Sequence, residues 1–294
     1  VYIFRLEDHH ERLNKGARAL GHPEVSFEIF EQMVTRTIQA NKDYIPPHGK
    51  GRLYIRPNYY DAGPQLKLNH SGTYNLSVTA IPIGTSEAYF PKTGKPTTFA
   101  LAINRARAVE HGIGRSKVAG NYAATVEAVD QAHDAGFSGL VYTDPRGEKV
   151  RESHVTGILF VKYQDDGCHE IVVPSLAGGD ILESITVKTV RETAEDLGYK
   201  VVERDVDWTT IDSFDEVLAV GTAAAVTPIH RLQLAIFDDD NKLQPLPEEG
   251  GVYSEEGETE FNRGEVGQKI FDRLCDIREG KIEDHNDYLT AVDV

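Results

Sequence analysis

Cysteine is nearly absent from this chain: its 294 residues include two, Cys168 and Cys275, far apart and in no CxxC pair. That argues against a disulfide framework and against a zinc site built on paired thiolates, and it points to a reducing compartment. No apolar run approaches the ~18–20 residues that span a bilayer, and no secretory leader pattern opens the sequence. Basic residues are outnumbered, 31 Lys and Arg against 47 Asp and Glu, for a net charge of -16. So acidic a surface repels phosphate, which argues against nucleic-acid and anionic-membrane partners. His9 and His10 lack the spacing of a metal-binding pair, and no metal is expected. The chain opens on Val1, and Val1–Phe4 already reads as a strand. A longer natural N-terminus is therefore expected, and the compartment, cytoplasmic or mitochondrial, stays open.

Apolar content is 40%, enough for one large core or two modest ones. EDHHERLNKGARALG places Leu13, Ala17 and Leu20 on one helical face, with Gly21 as the stop. SFEIFEQMVTRTIQANK is a second amphipathic helix with Phe27, Phe30, Met33, Val34 and Ile38 in a stripe, and GRLYIRPNYY and YNLSVTAIPIG are strands. Residues 1–88 thus read as a small α+β domain. GTSEAYFPKTGKP has the composition of a connection, assigned to 89–97. Residues 98–294 read as a larger domain, with strands at TFALAI, GLVYTD, TGILFVKY, HEIVVP, YKVVERDV and EVLAVGT and helices near 121–136, 185–198 and 265–280. Few βαβ spacings are evident, so a barrel-like or mixed α+β architecture is expected. The acidic segment 238–262 reads as a solvated loop or hairpin.

Several residues could carry chemistry. In SKVAGNYAAT, Lys117 precedes the slim run Val118-Ala119-Gly120, Asn121 as a helix cap, and Tyr122. A partly desolvated lysine becomes an amine nucleophile toward carbonyl compounds; the alternative is a solvated surface charge. In DILESITVKTV a helix starts near Ile185-Thr186, where free amides and a hydroxyl can cradle an anion, or simply cap the helix. VGTAAAVTP ends a strand at Thr222-Ala223, a turn able to hold a carboxylate or merely needing small side chains. Tyr54 and Arg56 of RLYIRP share a strand face, where the arginine can grip a carboxylate or sit in water. Arg12 of DHHERL is a helical cation. Glu152 of KVRESHVTG is either a surface charge or a buried partner for a protonated ring nitrogen.

In order and in sequence, FRLEDHHERL, LYIRP, GIGRSKVAGNYAAT, LVYTDPRGEKVRE, ILESIT and VGTAAAVTP resemble the blocks of the branched-chain amino acid aminotransferases, which are fold type IV pyridoxal-phosphate enzymes. The resemblance covers most of residues 1–235 and weakens beyond. It implies a two-domain α+β fold, with a small α/β domain and a larger barrel-like mixed α/β domain, and a homodimer. It implies pyridoxal 5′-phosphate as cofactor, bound as an aldimine to Lys117, which then shuttles a proton in a 1,3-shift. The implied activity is transamination of branched-chain or similar hydrophobic L-amino acids with 2-oxoglutarate, in amino-acid biosynthesis or catabolism.

By position, Tyr122 matches the tyrosine on the cofactor's phenolic oxygen, and Glu152 the glutamate on its pyridine nitrogen. Arg12, Ile185 and Thr186 match the phosphate cradle. Tyr54 and Arg56 match substrate-side residues, and Thr222 and Ala223 the turn that takes the substrate carboxylate.

The chain departs from the family pattern after the glutamate, where Ser153, His154, Val155, Thr156 and Gly157 replace the usual small residues and Asn. Glu183 stands before the phosphate turn where Pro is usual, Ala119 where Gly is common, and the CxxC of some animal members is absent around Ala225 and Pro228. Two other readings stand beside this one: a fold relative with D-amino acid transaminase or lyase activity, and a diverged or truncated paralog without turnover, motivated by residues 153–157, Glu183 and the expected missing N-terminal segment.

Overall fold

The structure, a computed structural model, describes residues 1–67, 69–84, 97–246 and 264–294. It divides into two units, Val1–Tyr89 with Cys275–Val294, and Phe90–Leu274. The connection expected at 89–97 lies, apart from Thr97, outside the described residues.

In the first unit, β1 (Tyr2–Phe4) leads into α1 (Leu6–Ala19), α2 (Phe27–Ala40) and the antiparallel pair β2 (Arg52–Asp61) and β3 (Tyr74–Ile83). Ser26 caps α2, its side chain accepting the Ile29 amide. The expected stripe on α2 is seen, with Phe30, Val34 and Ile38 buried against Leu6, Val25 and Val292. α1 differs from expectation: Gly21 takes a left-handed φ of 68°, the helix stops at Ala19, and Leu20 is left exposed. Asn14 is buried instead, because its amide group both accepts from Val25 N and donates to Val25 O, each at 3.0 Å. The C-terminal residues also depart from the sequence assignment. β14 (Leu289–Ala291) pairs antiparallel with β1, and residues 275–294 belong to the first unit.

The second unit holds two five-stranded sheets. One has β4 (Thr98–Ala102), β5 (Gly139–Thr143), β6 (Val150–Ser153), β12 (Arg231–Phe237) and β13 (Leu243–Pro245), in the order β13-β12-β4-β5-β6. The other has β7 (Gly157–Lys162), β8 (Glu170–Pro174), β9 (Lys200–Arg204), β10 (Glu216–Gly221) and β11 (Ala225–Pro228), in the order β11-β10-β7-β8-β9. The helices are α3 (Gly120–Ala123), α4 (Val126–Asp134), α5 (Ile185–Asp196) and α6 (Glu265–Arg278). Two parallel βαβ connections are present, more than the sequence disclosed: β4 to β5 through α3 and α4, and β8 to β9 through α5. β13 pairs with β12, so part of the acidic segment is a hairpin; residues 247–263 lie outside the described ones.

Alternation along the strands builds the layers. Phe99 and Leu101 of β4 join Ile158, Phe160, Val172, Val217 and Leu234 in a core between the two sheets. Ala100 and Ala102 of the same strand face Ala128, Val129 and Ala132 of α4. On the outer side of the other sheet, Leu159, Val161, Leu218 and Val220 pack on α5 and α6. Buried Glu216 of β10 closes the start of α6: its carboxylate accepts Val266 N at 3.0 Å, Gly267 N at 2.9 Å and Tyr163 Oη at 2.6 Å. A Cβ at Gly264 would overlap that carboxyl group, so only glycine admits the approach.

Candidate functional site

The chain leaves one sheet and enters the other at the turn between β6 and β7. Glu152, on β6, is buried. Ser153 N closes the turn on Thr156 O at 2.9 Å. At the far side, Gly157 pairs with Val220 of β10, and Val187 Cγ2 of α5 stands 2.8 Å from where a Gly157 Cβ would be. The glycine found here in place of Asn is thus matched by a valine that fills its space. Gly221 lies against Thr156, whose Cγ2 would be 3.2 Å from a Cβ there. The start of α5 and the end of β10 therefore both abut the loop that follows Glu152.

Ile185 and Thr186 are the first two residues of α5, both buried, and Ser184 caps the helix by accepting Val187 N at 3.3 Å. The opening amides of a helix have no partner within it and carry its positive end, which suits an anion. Thr222 and Ala223 form the turn from β10 to β11; Thr222 is exposed, and Ala225 closes the turn at φ 53°.

Lys117 is exposed, and its Nζ donates to Tyr122 Oη at 2.6 Å. The expected cap is corrected. Tyr122 lies within α3, and Asn121, inside the same turn, instead donates to Ile113 O and Ser116 O, each at 2.8 Å, which holds the lysine's loop. The single helix expected at 121–136 is two, α3 and α4. A Cβ at Gly120 would meet nothing within 4 Å, so this chain's own packing does not demand glycine there.

The arginine at 107 escaped the sequence reading. Its Nη2 lies 2.5 Å from Glu152 Oε1 and 3.0 Å from both Gly114 O and Asp180 O. Leu182 N also donates to Glu152 Oε1, at 2.8 Å. Burial pushes the Glu152 carboxyl up to about 7, against the pull of Arg107, the Leu182 amide and the charge of Lys117. The last of these influences puts Lys117 within electrostatic reach of Glu152. Gly114 allows the close approach of the loops: a Cβ there would be 2.6 Å from Asp180 O. The only sequence signal was an arginine with Gly112 and Gly114 between it and Lys117, too short a pattern to assign.

His154 is neutral in this setting, pushed down to about 4 by burial; its Nδ1 faces Ser153 Oγ at 3.0 Å. The structure thus groups Lys117, Tyr122, Glu152, Ile185, Thr186, Thr222 and Ala223 in one unit.

Arg12, Tyr54 and Arg56 belong to the first unit. Arg12 Nη2 lies 3.1 Å from His9 Nδ1 on α1. Tyr54 and Arg56 are paired with Ile81 and Thr79 and share the sheet face turned from Ile55 and Tyr59, with the Arg56 guanidinium 5.4 Å from the centre of the Tyr54 ring. Among the described residues no group of His, Cys, Asp and Glu forms a metal site, and no helix is long and apolar enough to cross a membrane.

Residues 1–232 match the family described as Amino-transferase class IV. The chain is 32% identical over 295 residues to a branched-chain-amino-acid aminotransferase 2, chloroplastic, of Arabidopsis thaliana, covering 99% of this chain and 69% of that one. Among solved structures it resembles the branched-chain aminotransferase of the thermophilic archaeon Thermoproteus uzoniensis with norvaline (28% identity, TM-score 0.75, covering 98% and 84%). It also resembles a solved branched-chain amino acid aminotransferase complexed with N-(5′-phosphopyridoxyl)-L-glutamate (25% identity, TM-score 0.75, covering 99% and 84%).

Proposed function

The chain belongs to the class IV amino-transferases, and from that premise we propose that it transfers the amino group of branched-chain or similar hydrophobic L-amino acids to 2-oxoglutarate, with pyridoxal 5′-phosphate as cofactor. The observation that carries the reading is the exposed Lys117 amine, bonded at 2.6 Å to a phenol and acting electrostatically on a buried carboxylate. The residues fit the cofactor's chemistry: an amine for its aldehyde, a phenol for its oxygen, a carboxylate for its ring nitrogen, and the start of α5 for its phosphate. When bound, pyridoxal phosphate supplies a carbonyl that condenses with amines and a ring that takes up electrons from the neighbouring carbon.

Lys117 Nζ would hold the cofactor and, once free, would serve as the base that takes the substrate Cα proton and returns it two atoms away, across the amine nitrogen, as a 1,3-shift requires. Tyr122 Oη orients that nitrogen. Glu152 keeps a ring nitrogen protonated. Ile185 N and Thr186 would take the phosphate, a role the resemblance gives to Arg12 as well, while Thr222 and Ala223 would take the substrate carboxylate through the β10–β11 turn. The resemblance gives Tyr54 and Arg56 substrate-side roles, in which the arginine would grip the second carboxylate of glutamate. The adduct held by the last of the solved relatives joins a phosphopyridoxyl group to glutamate, which supports both cofactor and co-substrate. A homodimer is part of the proposal.

Mass spectrometry after borohydride reduction should find the cofactor on Lys117 and lose it in Lys117→Ala. Leucine, isoleucine and valine, offered with 2-oxoglutarate, should give glutamate. A Lys117→Ala protein that transaminates normally would end the reading, and turnover of D-amino acids alone would replace it with the D-specific alternative.

A further inference from the structure

Arg107 and Glu152 are both buried, with side-chain exposures of 4% and 6%. Among the described residues, the carboxylate's polar contacts fall on Oε1: Arg107 Nη2 at 2.5 Å and Leu182 N at 2.8 Å. The same Arg107 nitrogen also bonds Gly114 O, three residues before Lys117, and Asp180 O, two before Leu182. One guanidinium thus ties together the loop that carries the lysine, the strand that carries the carboxylate, and the segment that leads into α5.

We propose that Arg107 is a positioning residue that acts through Glu152: it anchors Oε1 so that Oε2 is held toward the ring nitrogen, and it keeps Lys117's loop in fixed register with that oxygen. The inference rests on the aminotransferase reading. The charged groups acting on Glu152 are Arg107 and Lys117. The next carboxylate outward, Asp180, faces Arg151 Nε at 3.0 Å. Without Arg107, the buried carboxylate loses its nearest counter-charge and takes up a proton at higher pH.

The test is equilibrium binding of pyridoxal phosphate to apoprotein across pH, for wild type, Arg107→Met, Glu152→Gln and the double variant. Arg107→Met should weaken binding by about tenfold or more, as expected for coupled contacting residues, and move the acidic limb of the binding profile to higher pH. In the Glu152→Gln background the same substitution should cost little further affinity. A merely structural role predicts an unmoved limb and additive losses, and that result overturns the proposal. Should Arg107→Met fail to fold, Arg107→Lys provides the same two readouts: a smaller shift in the same direction is expected, and an unmoved limb overturns the proposal. Wild-type protein that takes up no pyridoxal phosphate would overturn the aminotransferase reading and this inference with it, whereas wild-type uptake with an unmoved limb in the variants overturns this inference alone.

Discussion

Glu216→Ala should unfold the second unit at markedly lower temperature without touching the chemistry. The carboxylate accepts two backbone amides at the start of α6 and the Tyr163 phenol, all from a buried position on β10. Truncation leaves two amides without an acceptor in a site closed by Gly264 and Gly267. Each unsatisfied buried group costs about 1–3 kcal/mol, so the amides alone account for roughly 3 kcal/mol, with the lost charge at the helix start adding up to about 1 kcal/mol. At about 2–4 °C per kcal/mol for a unit of this size, roughly 3 kcal/mol lowers Tm by about 6–12 °C. Glu216→Gln keeps one oxygen acceptor and should lose about half as much. Differential scanning calorimetry reads the shift. An alanine variant melting within about 2 °C of wild type would refute the claim that this side chain anchors the helix.

Three more outcomes follow from the geometry. Gly114→Ala sets a Cβ 2.6 Å from Asp180 O and forces the two loops apart, costing about 1–3 kcal/mol of stability and weakening pyridoxal phosphate binding in the same titration. Tyr122→Phe removes the 2.6 Å bond to Lys117 and should lower kcat by about tenfold with Tm unchanged in steady-state and calorimetric assays. His154 titrates at about 4 in the fold against 6.5 when unfolded, so the unfolded chain gains its proton first as pH falls. The stability this neutral ring contributes is therefore fully present above pH 6.5 and is lost between pH 6.5 and 4, by up to about 3 kcal/mol. Urea denaturation of His154→Gln at both ends of that window should show a correspondingly smaller loss.

What was legible in the sequence was periodic or local. The α2 stripe, the shared face of Tyr54 and Arg56, and the start of α5 at Ile185 each depend on residues within a turn or two of one another. What was hidden depends on distant segments. Arg107 acquires its role only when Gly114, Glu152 and Asp180 converge on it. Asn14 outranks Leu20 as a buried residue because Val25 lies across from it, which no helical period encodes. The parallel β4–β5 and β8–β9 pairs were masked because nearly every residue in β4, β5 and β8 is buried, so alternation gave no clue to layer or direction. Residues 275–294 were placed by contiguity, whereas the pairing of β14 with β1 decides where they fold.

The division of labour within β4 restricts how this protein can change length. Phenylalanine and leucine serve one layer and alanines the other, and the alanines leave just enough room for α4 to lie close. Inserting or deleting one residue inside the strand would turn it over, driving aromatic bulk into the helix and leaving a void between the sheets. Length variation is therefore excluded from β4 itself.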